Sequence, residues 1–235
     1  MGQIYLVRHG QASFGTANYD QLSELGVEQA QLLGNWFADC GLRFDRVVTG
    51  GMIRHRQTAD ACMAALPEAL RPQTDWLSDV GFNEYDHHEV LLRHRPDFVD
   101  PIAVKDFLAR SENPKQVFQK IFELAMMRWM GGEHDADYGE PWPVFRARCI
   151  AALQRLLESA GASQKIVVFT SGGTIATLCQ HLLELPDRQT AELNWSLVNS
   201  SMTKLLYQPG KVTLSYLNNY AHLELLGEKH SVTYR

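Results

Sequence analysis

The sequence lacks the features that mark secreted, membrane-spanning and zinc-binding chains. Its four cysteines are dispersed over 235 residues without CxxC spacing, which disfavours a disulfide framework and a zinc site. No apolar run reaches the length of a membrane span, and no signal peptide precedes the first apolar segment. We therefore expect a cytoplasmic protein with reduced thiols and no membrane partner.

Positive charge is scarce as well. The chain has 22 Lys and Arg residues against 27 Asp and Glu residues, a formal net charge of −5, and no dense basic cluster. Nucleic acid is therefore not an expected partner, and any chemistry that depends on cations must be local. Repeats and low-complexity tracts are also absent, so residues 1–235 are expected to form a single domain.

Alternation of strands and helices is the main pattern that the sequence does contain. Residues 4–7 are an apolar run typical of a buried strand, and Ser23 precedes apolar residues at helical spacing that end near Gly41. A second strand over 46–49 and a second helix over 52–66 follow. Two successive strand-helix units predict a parallel sheet in an α/β protein.

The middle of the chain breaks this alternation. Residues 85–140 are rich in charges and prolines and poor in strand signals, so we expect a helical or irregular insertion there. The other predicted elements are an edge strand over 74–77, a helix over 144–160, a strand over 166–169, a helix up to about 185, and a hairpin of 204–207 with 212–217. The alternation thus resumes after the insertion.

The first strand ends on Arg8-His9-Gly10. The carboxyl end of a parallel strand lies at the sheet edge where α/β proteins bind ligands. Arginine offers a planar fork of donors to phosphate oxygens, and a neutral imidazole is a nucleophile at neutral pH. Gly10 removes a side chain where a ligand would approach the backbone. This tripeptide predicts phosphate chemistry on His9.

A second arginine follows the second strand. Arg54 comes after Gly50 and Gly51 and falls in the first turn of the predicted helix, near its free N–H groups. It is either a phosphate ligand or an ordinary surface arginine. His55 and Arg56 are expected to point elsewhere, because adjacent residues do not share a helix face.

Glu84 lies at the mouth of the insertion, in Gly81-Phe82-Asn83-Glu84-Tyr85. A carboxylic acid beside a phosphoryl group can protonate the departing oxygen and then activate the attacking water. The alternative is a solvated acidic loop. His87 and His88 raise a metal site as a minor alternative, but no third ligand has a recognisable spacing.

The last candidate follows the strand over 166–169. In Ser171-Gly172-Gly173-Thr174, backbone N–H groups at the start of a helix would face an anion. The glycines would equally permit close packing of the strand against the helix.

Taken together, these segments resemble the histidine phosphatase superfamily, also called the phosphoglycerate mutase-like family, in its first branch. The resemblance spans most of the chain and keeps the family's order. It is carried by Arg8-His9-Gly10, by the helix entry Leu22-Ser23-Glu24-Leu25-Gly26, by Arg54-His55-Arg56-Gln57-Thr58-Ala59, by Glu84, by residues 140–148 and 199–203, and by Ala221-His222-Leu223.

The resemblance implies a three-layer α/β/α sandwich with a mostly parallel sheet. It also implies that His9 is the nucleophile that becomes phosphorylated, that Arg8 and Arg54 bind the phosphoryl oxygens, and that Glu84 is the proton donor. No metal and no other cofactor is implied, because two arginines supply the positive charge. The insertion over about 85–140 would cover the site and select a small phosphorylated substrate.

This chain departs from the family at Ser171, which stands where the family has a second histidine. With Gly172, Ser171 remains a candidate phosphate ligand, since a hydroxyl donates a hydrogen bond but carries no charge. Three histidines, His87, His88 and His222, are candidates for a replacement imidazole.

The loop after Gly10 departs as well, because it lacks the family's acidic and threonine residues. Ser13 and Asn18 are candidates to contact phosphate there. The longer pattern that mutases carry after the signature is not recognisable, which favours hydrolysis over transfer.

The leading hypothesis is therefore a metal-independent phosphatase that acts on a small phosphorylated metabolite. Two alternatives stay open. One is a phosphoglycerate mutase-type transfer of the phosphoryl group. The other is a weakened protein that binds a phosphorylated ligand or another protein without turnover, as the loss of a histidine at Ser171 suggests.

Overall fold

A six-stranded sheet forms the centre of the computed structural model, which describes residues 1–13 and 20–234. The strands are β1 (Gly2–Arg8), β2 (Arg46–Thr49), β3 (Leu77–Ser78), β4 (Lys165–Thr170), β5 (Met202–Gln208) and β6 (Lys211–Asn219). Their order is β3-β2-β4-β1-β5-β6, with β1 to β4 parallel and the β5–β6 hairpin antiparallel. The expected mostly parallel sheet is confirmed.

Helices cover both faces of this sheet. They are α1 (Glu24–Asp39), α2 (Ile53–Ala64), α3 (His87–His94), α4 (Pro101–Ala109), α5 (Pro114–Met130), α6 (Trp142–Glu158), α7 (Gly172–Leu183), α8 (Asp187–Ser196) and α9 (Ala221–Glu224). Helix α1 begins where expected, because the Ser23 hydroxyl oxygen accepts the Gly26 N–H and satisfies one free donor of the first turn. Helix α8 was not anticipated by the spacing argument.

Alternate side chains of each central strand enter two separate cores. In β1, Ile4 and Leu6 join a core with α6, α7 and α8, whereas Tyr5 and Val7 join a core with α1 and α2. This alternation follows from the two-residue period of a strand. The result is the three-layer α/β/α sandwich, in which β1 and β4 are covered on both sides and deliver their carboxyl ends to one edge.

The segment predicted as an insertion folds into α3, α4 and α5. Helix α5 packs against α3, α6 and α8. Trp129 of α5 is buried, with its ring centroid 4.9 Å from that of Tyr85 and 5.2 Å from that of Trp142. These aromatic contacts fasten the insertion to the helical layer directly after Glu84. No helix within the described residues is long and apolar enough to cross a membrane.

Candidate active site

His9 stands one residue beyond β1 and is 7% exposed. Its Nδ1 lies 2.7 Å from the Gly10 carbonyl oxygen, which can only accept, so Nδ1 carries the hydrogen and donates it. Burial, followed by the charges of Arg54, Arg8 and His55, holds the pKa of His9 well below its usual range. At neutral pH the ring is therefore neutral, and its lone pair is on Nε2.

Gly10 is also needed because a side chain at this position would collide with the backbone of α1. A Cβ at this position would lie 2.2 Å from the Gly26 carbonyl oxygen, in the first turn of α1. The Gly10 N–H also donates to the Thr58 hydroxyl at 3.1 Å. The glycine thus lets the start of α1 and the face of α2 close around the end of β1.

Arg8 is buried at the end of β1 and points toward the start of α7. One of its terminal nitrogens donates to the Leu197 carbonyl oxygen. Its Nε lies 3.5 Å from the position that a Cβ on Gly172 would occupy. The structure therefore brings Arg8 and Gly172 together, and their binding of phosphate stays a prediction.

Arg54 is buried in the first turn of α2 and is not a surface arginine. Its Nη1 donates to Asp20 Oδ1 at 2.8 Å, while Asp20 Oδ2 accepts the Ile53 N–H at 2.9 Å. Asp20 thus caps α2 and holds the guanidinium at once. Sequence reasoning missed this residue, since a single acid in a polar loop has no periodicity that marks it.

His55 contradicts the expectation that it points away from the site. It is fully buried, its Nε2 lies 2.6 Å from the Ser171 hydroxyl oxygen, and its ring centroid lies 5.8 Å from that of His9. Arg56 does point elsewhere, pairing with Asp60 at 3.0 Å. Both Arg54 and His55 face the site because the first turn of α2 abuts the ends of β1 and β4 together.

None of the three histidines proposed as substitutes contacts Ser171 in the hydrogen bonds of the described residues; His55 does. His88 is exposed at the start of α3. His222 is buried in α9, and burial lowers its pKa to about 4. The signal that would have identified His55 is tertiary, because His55 and Ser171 are 116 positions apart in the chain.

Glu84 reaches the site from the segment that precedes the insertion. Its Oε2 accepts the Gly173 N–H at 3.1 Å, and a Cβ on Gly173 would lie 2.2 Å from its Oε1. The Thr174 hydroxyl donates to the Asn83 carbonyl oxygen at 2.9 Å, and the Thr170 hydroxyl donates to that of Phe82 at 2.6 Å. The start of α7 therefore receives the carboxylate, and Gly173 provides the space for it.

Of the loop after Gly10, the structure describes residues 11–13. The Ser13 hydroxyl donates to the Leu22 carbonyl oxygen at 3.0 Å, so Ser13 stays a prediction as a phosphate ligand. Asn18 lies outside the described residues. From the other side, the Asn199 side-chain amide donates to the His9 carbonyl oxygen at 3.2 Å and steadies the end of β1.

The assembled site is a buried, neutral imidazole near two buried arginines, with a carboxylate and a serine-histidine pair in the same region. Such a site can hold a phosphoryl dianion, receive it on nitrogen and exchange a proton with the departing oxygen. Within residues 1–13 and 20–234, no three His, Cys, Asp or Glu side chains are grouped so that they could hold a metal ion.

Comparison with known proteins gives a family match over most of the chain. The model described as histidine phosphatase superfamily (branch 1) matches residues 4–117 and 111–220. The 2,3-bisphosphoglycerate-dependent phosphoglycerate mutase of Rhizobium meliloti (strain 1021) is 26% identical over 203 residues, which are 82% of this chain and 85% of that protein.

Solved structures share the fold at lower identity. A phosphoglycerate mutase from Bacillus anthracis str. Sterne has a TM-score of 0.64 and 18% identity, covering 97% of each chain. A mutant phosphoserine phosphatase from Entamoeba histolytica in complex with phosphoserine has a TM-score of 0.65 and 16% identity, covering 95% of this chain and 100% of that one.

Proposed function

This chain belongs to the histidine phosphatase superfamily, branch 1, and from that premise we propose that it is a metal-independent phosphatase. It hydrolyses a small phosphorylated metabolite by way of a phosphohistidine on His9. The observation that carries the proposal is the His9 ring itself, buried, neutral and held through Nδ1 by the Gly10 carbonyl. That arrangement leaves Nε2 as the attacking nitrogen.

The first step transfers the phosphoryl group to the protein. The lone pair of His9 Nε2 forms the N–P bond while the bond from phosphorus to the substrate oxygen breaks. Arg8 and Arg54, both buried beside His9, stabilise the charge that spreads over the phosphoryl oxygens. Glu84 donates its proton to the departing oxygen, so that the alcohol leaves neutral.

The second step regenerates the protein. A water molecule gives its proton to the Glu84 carboxylate and attacks phosphorus, and the N–P bond breaks. Inorganic phosphate leaves, while His9 recovers its lone pair and Glu84 its proton. One carboxylate therefore serves both half-reactions.

The burial of His9 supports a small substrate, and the state of the cysteines supports a reducing compartment. Because His9 is only 7% exposed, a narrow phosphomonoester reaches it more readily than a bulky one. The four cysteines are all unpaired, and three of them are buried, which fits the reducing cytoplasm. We extend the proposal to a single domain over 1–235 in which α3, α4 and α5 select the substrate.

The nucleophile can be tested with p-nitrophenyl phosphate and a labelled phosphomonoester. His9→Ala is expected to lower kcat by more than about a thousandfold, because nothing else supplies the attacking nitrogen. It should also abolish the acid-labile label that rapid quenching traps on the wild type. His181→Ala, an exposed histidine on α7, is the matched control and should change neither.

Two results would contradict the proposal. Unchanged turnover in His9→Ala would exclude His9 as nucleophile. Phosphate binding by a wild type that hydrolyses no phosphomonoester would identify a binding protein, the alternative that Ser171 suggested.

A mutase is the second candidate, because the Rhizobium meliloti relative bears that name and aligns over 82% of this chain. A mutase returns the phosphoryl group from His9 to a hydroxyl of the substrate. Incubation with 3-phosphoglycerate separates the two functions by product. Inorganic phosphate supports the phosphatase, and 2-phosphoglycerate without phosphate release supports the mutase.

A further inference from the structure

The pair formed by His55 and Ser171 has no part in the mechanism given above, yet it lies inside the site. His55 is fully buried, its Nε2 is 2.6 Å from Ser171 Oγ, and its ring is tilted by 33° to that of His9 at a centroid distance of 5.8 Å. Ser171 precedes Gly172, which lies against Arg8. The serine hydroxyl thus contacts an imidazole, and the residue that follows the serine lies against Arg8.

The place of the His55 ring is built into the backbone. A Cβ on Gly50 would lie 2.2 Å from His55 Nδ1 and 2.8 Å from Cε1, so only glycine at position 50 leaves room for the ring. Gly50 is itself fastened to β4, because its N–H donates to the Phe169 carbonyl oxygen at 2.9 Å. An imidazole that needs this space is a specific feature of the site and not a chance contact.

The hydrogen bonds indicate which atom of the pair donates. Burial, followed by the charge of Arg54, lowers the pKa of His55 well below its usual range, so the ring is neutral and carries one N–H. Its Nδ1 has no hydrogen-bond partner among the described residues. A hydrogen on Nδ1 would be a buried unpaired donor, which is costlier than a bare lone pair, so the hydrogen belongs on Nε2.

This tautomer determines what Ser171 can do. His55 Nε2–H donates to Ser171 Oγ, which turns the serine hydroxyl hydrogen away from the imidazole. In the part of the chain that the structure describes, His55 is the only hydrogen-bond partner of Ser171 Oγ. The serine therefore retains one donor for a ligand at the start of α7.

We propose that Ser171 donates its hydroxyl hydrogen to the phosphoryl group in transit to His9, and that His55 is the positioning residue that aims this donor. The proposal rests on the proposed function, since it deepens the same site. It accounts for the departure at position 171. The resemblance to the family implies a histidine at this position, and here an imidazole is supplied from the first turn of α2, with serine as the intermediary.

One consequence distinguishes this pair from an ordinary substitution. A histidine placed at position 171 has no room while the His55 ring lies 2.6 Å from the residue-171 side chain. Ser171→His alone is therefore expected to lose activity. His55→Ala alone removes the hydrogen bond that orients the Ser171 hydroxyl. The double variant His55→Ala/Ser171→His places the imidazole on residue 171, at the start of α7, where it can donate to the phosphoryl group directly.

The test compares kcat and KM for p-nitrophenyl phosphate in the wild type, His55→Ala, Ser171→Ala and the two double variants. Each single alanine variant is expected to lower kcat by about tenfold to a hundredfold with little change in KM, because the lost donor acts mainly on the transition state. His55→Ala/Ser171→Ala should be no slower than the slower single variant. His55→Ala/Ser171→His should be at least about tenfold faster than His55→Ala.

A conservative variant guards against loss of folding. His55→Gln keeps a side-chain N–H near the place of Nε2 and is expected to retain more activity than His55→Ala at equal thermal stability. If His55 only stabilised the fold, kcat of the variants would instead fall as their melting temperatures fall. That correlation, or multiplied losses in the double alanine variant, would overturn the proposal, as would an acid-stable phosphate ester on Ser171.

Binding of orthovanadate separates this proposal from the proposed function. Vanadate mimics the five-coordinate phosphorus of phosphoryl transfer and needs no turnover. His55→Ala and Ser171→Ala should each weaken its binding by about tenfold or more, because a transition-state donor is lost. If the wild type binds vanadate but hydrolyses no ester, the proposed phosphatase fails while these losses still support the pair. Unchanged vanadate affinity in both variants would overturn the pair.

Discussion

At the scale of single residues, Glu84 can be distinguished from the other site residues by the leaving group of the substrate. It is held at the start of α7 by the Gly173 N–H. A proton donor at this place matters only when the departing oxygen is basic. A phenolate with electron-withdrawing groups leaves without help, whereas an alkoxide does not.

Glu84→Gln is therefore expected to lower kcat/KM for an alkyl phosphate by about a hundredfold or more, and for p-nitrophenyl phosphate much less. Steady-state kinetics with the two substrates checks this. Glu112→Gln, at an exposed acid between α4 and α5, serves as the control that changes neither rate. Equal losses on both substrates would show that Glu84 positions the phosphoryl group and does not supply a proton.

At the scale of elements, helix α6 holds the segment that carries Glu84. Arg148 Nη1 lies 3.1 Å from each of three carbonyl oxygens, those of Val80, Gly81 and Asn83, and the same guanidinium pairs with Glu140 at 2.7 Å. One guanidinium thus donates hydrogen bonds to three backbone carbonyl groups of the same turn. The position of the Glu84 carboxylate and the stability of the turn before it therefore depend on Arg148.

Arg148→Ala is expected to destabilise the fold by about 2 to 4 kcal/mol, since it strands a carboxylate and several carbonyl groups. It should also lower kcat, as Glu84 loses its support. Arg155→Ala is the matched control, because Arg155 pairs with Asp79 of the same turn but is half exposed. That loss should stay below about 1 kcal/mol. Denaturant unfolding and kinetics of both variants measure the difference; equal losses would contradict the role of Arg148.

At the scale of the whole molecule, three buried histidines make stability depend on pH. His9, His55 and His222 all have a pKa below the ordinary value, mainly because of burial. Below pH 6.5 the unfolded chain therefore binds protons that the folded chain does not, and stability falls as the pH decreases. For His222, whose pKa is about 4, this loss extends over the interval from about 6.5 down to 4.

His222→Leu isolates that contribution. Both ring nitrogens lack a hydrogen-bond partner within the described residues, so an apolar side chain forfeits no hydrogen bond. The variant should match the wild type at pH 7.5 and exceed its free energy of unfolding by about 3 kcal/mol at pH 4. Urea unfolding at both pH values checks this. Parallel pH curves for the two proteins would show that His222 is accessible to protons in the folded state.

Local patterns in the sequence were sufficient to predict much of this fold. The apolar run before Arg8, the glycines before Arg54 and the glycines after β4 act over a few residues, and they place His9, Arg54 and Ser171 near the ends of strands. Glu84 was predicted from its place at the mouth of the insertion. The order of those elements predicts the parallel sheet, and a parallel sheet gathers its strand ends at one edge. Helix α8 and the exact contacts of the insertion lay beyond this reasoning.

Tertiary structure alone decided which side chains meet across the site. The chain by itself determined a nucleophile, two arginines and an acid as candidates, together with a missing histidine at position 171. Only the packing of α2 against β4 showed that His55 faces Ser171 across 116 positions, and that Gly50 leaves the room for it. The physical reason is that helical periodicity gives the direction of a side chain only around the axis of its own helix. Which side chains meet in a pocket depends on how several elements pack together.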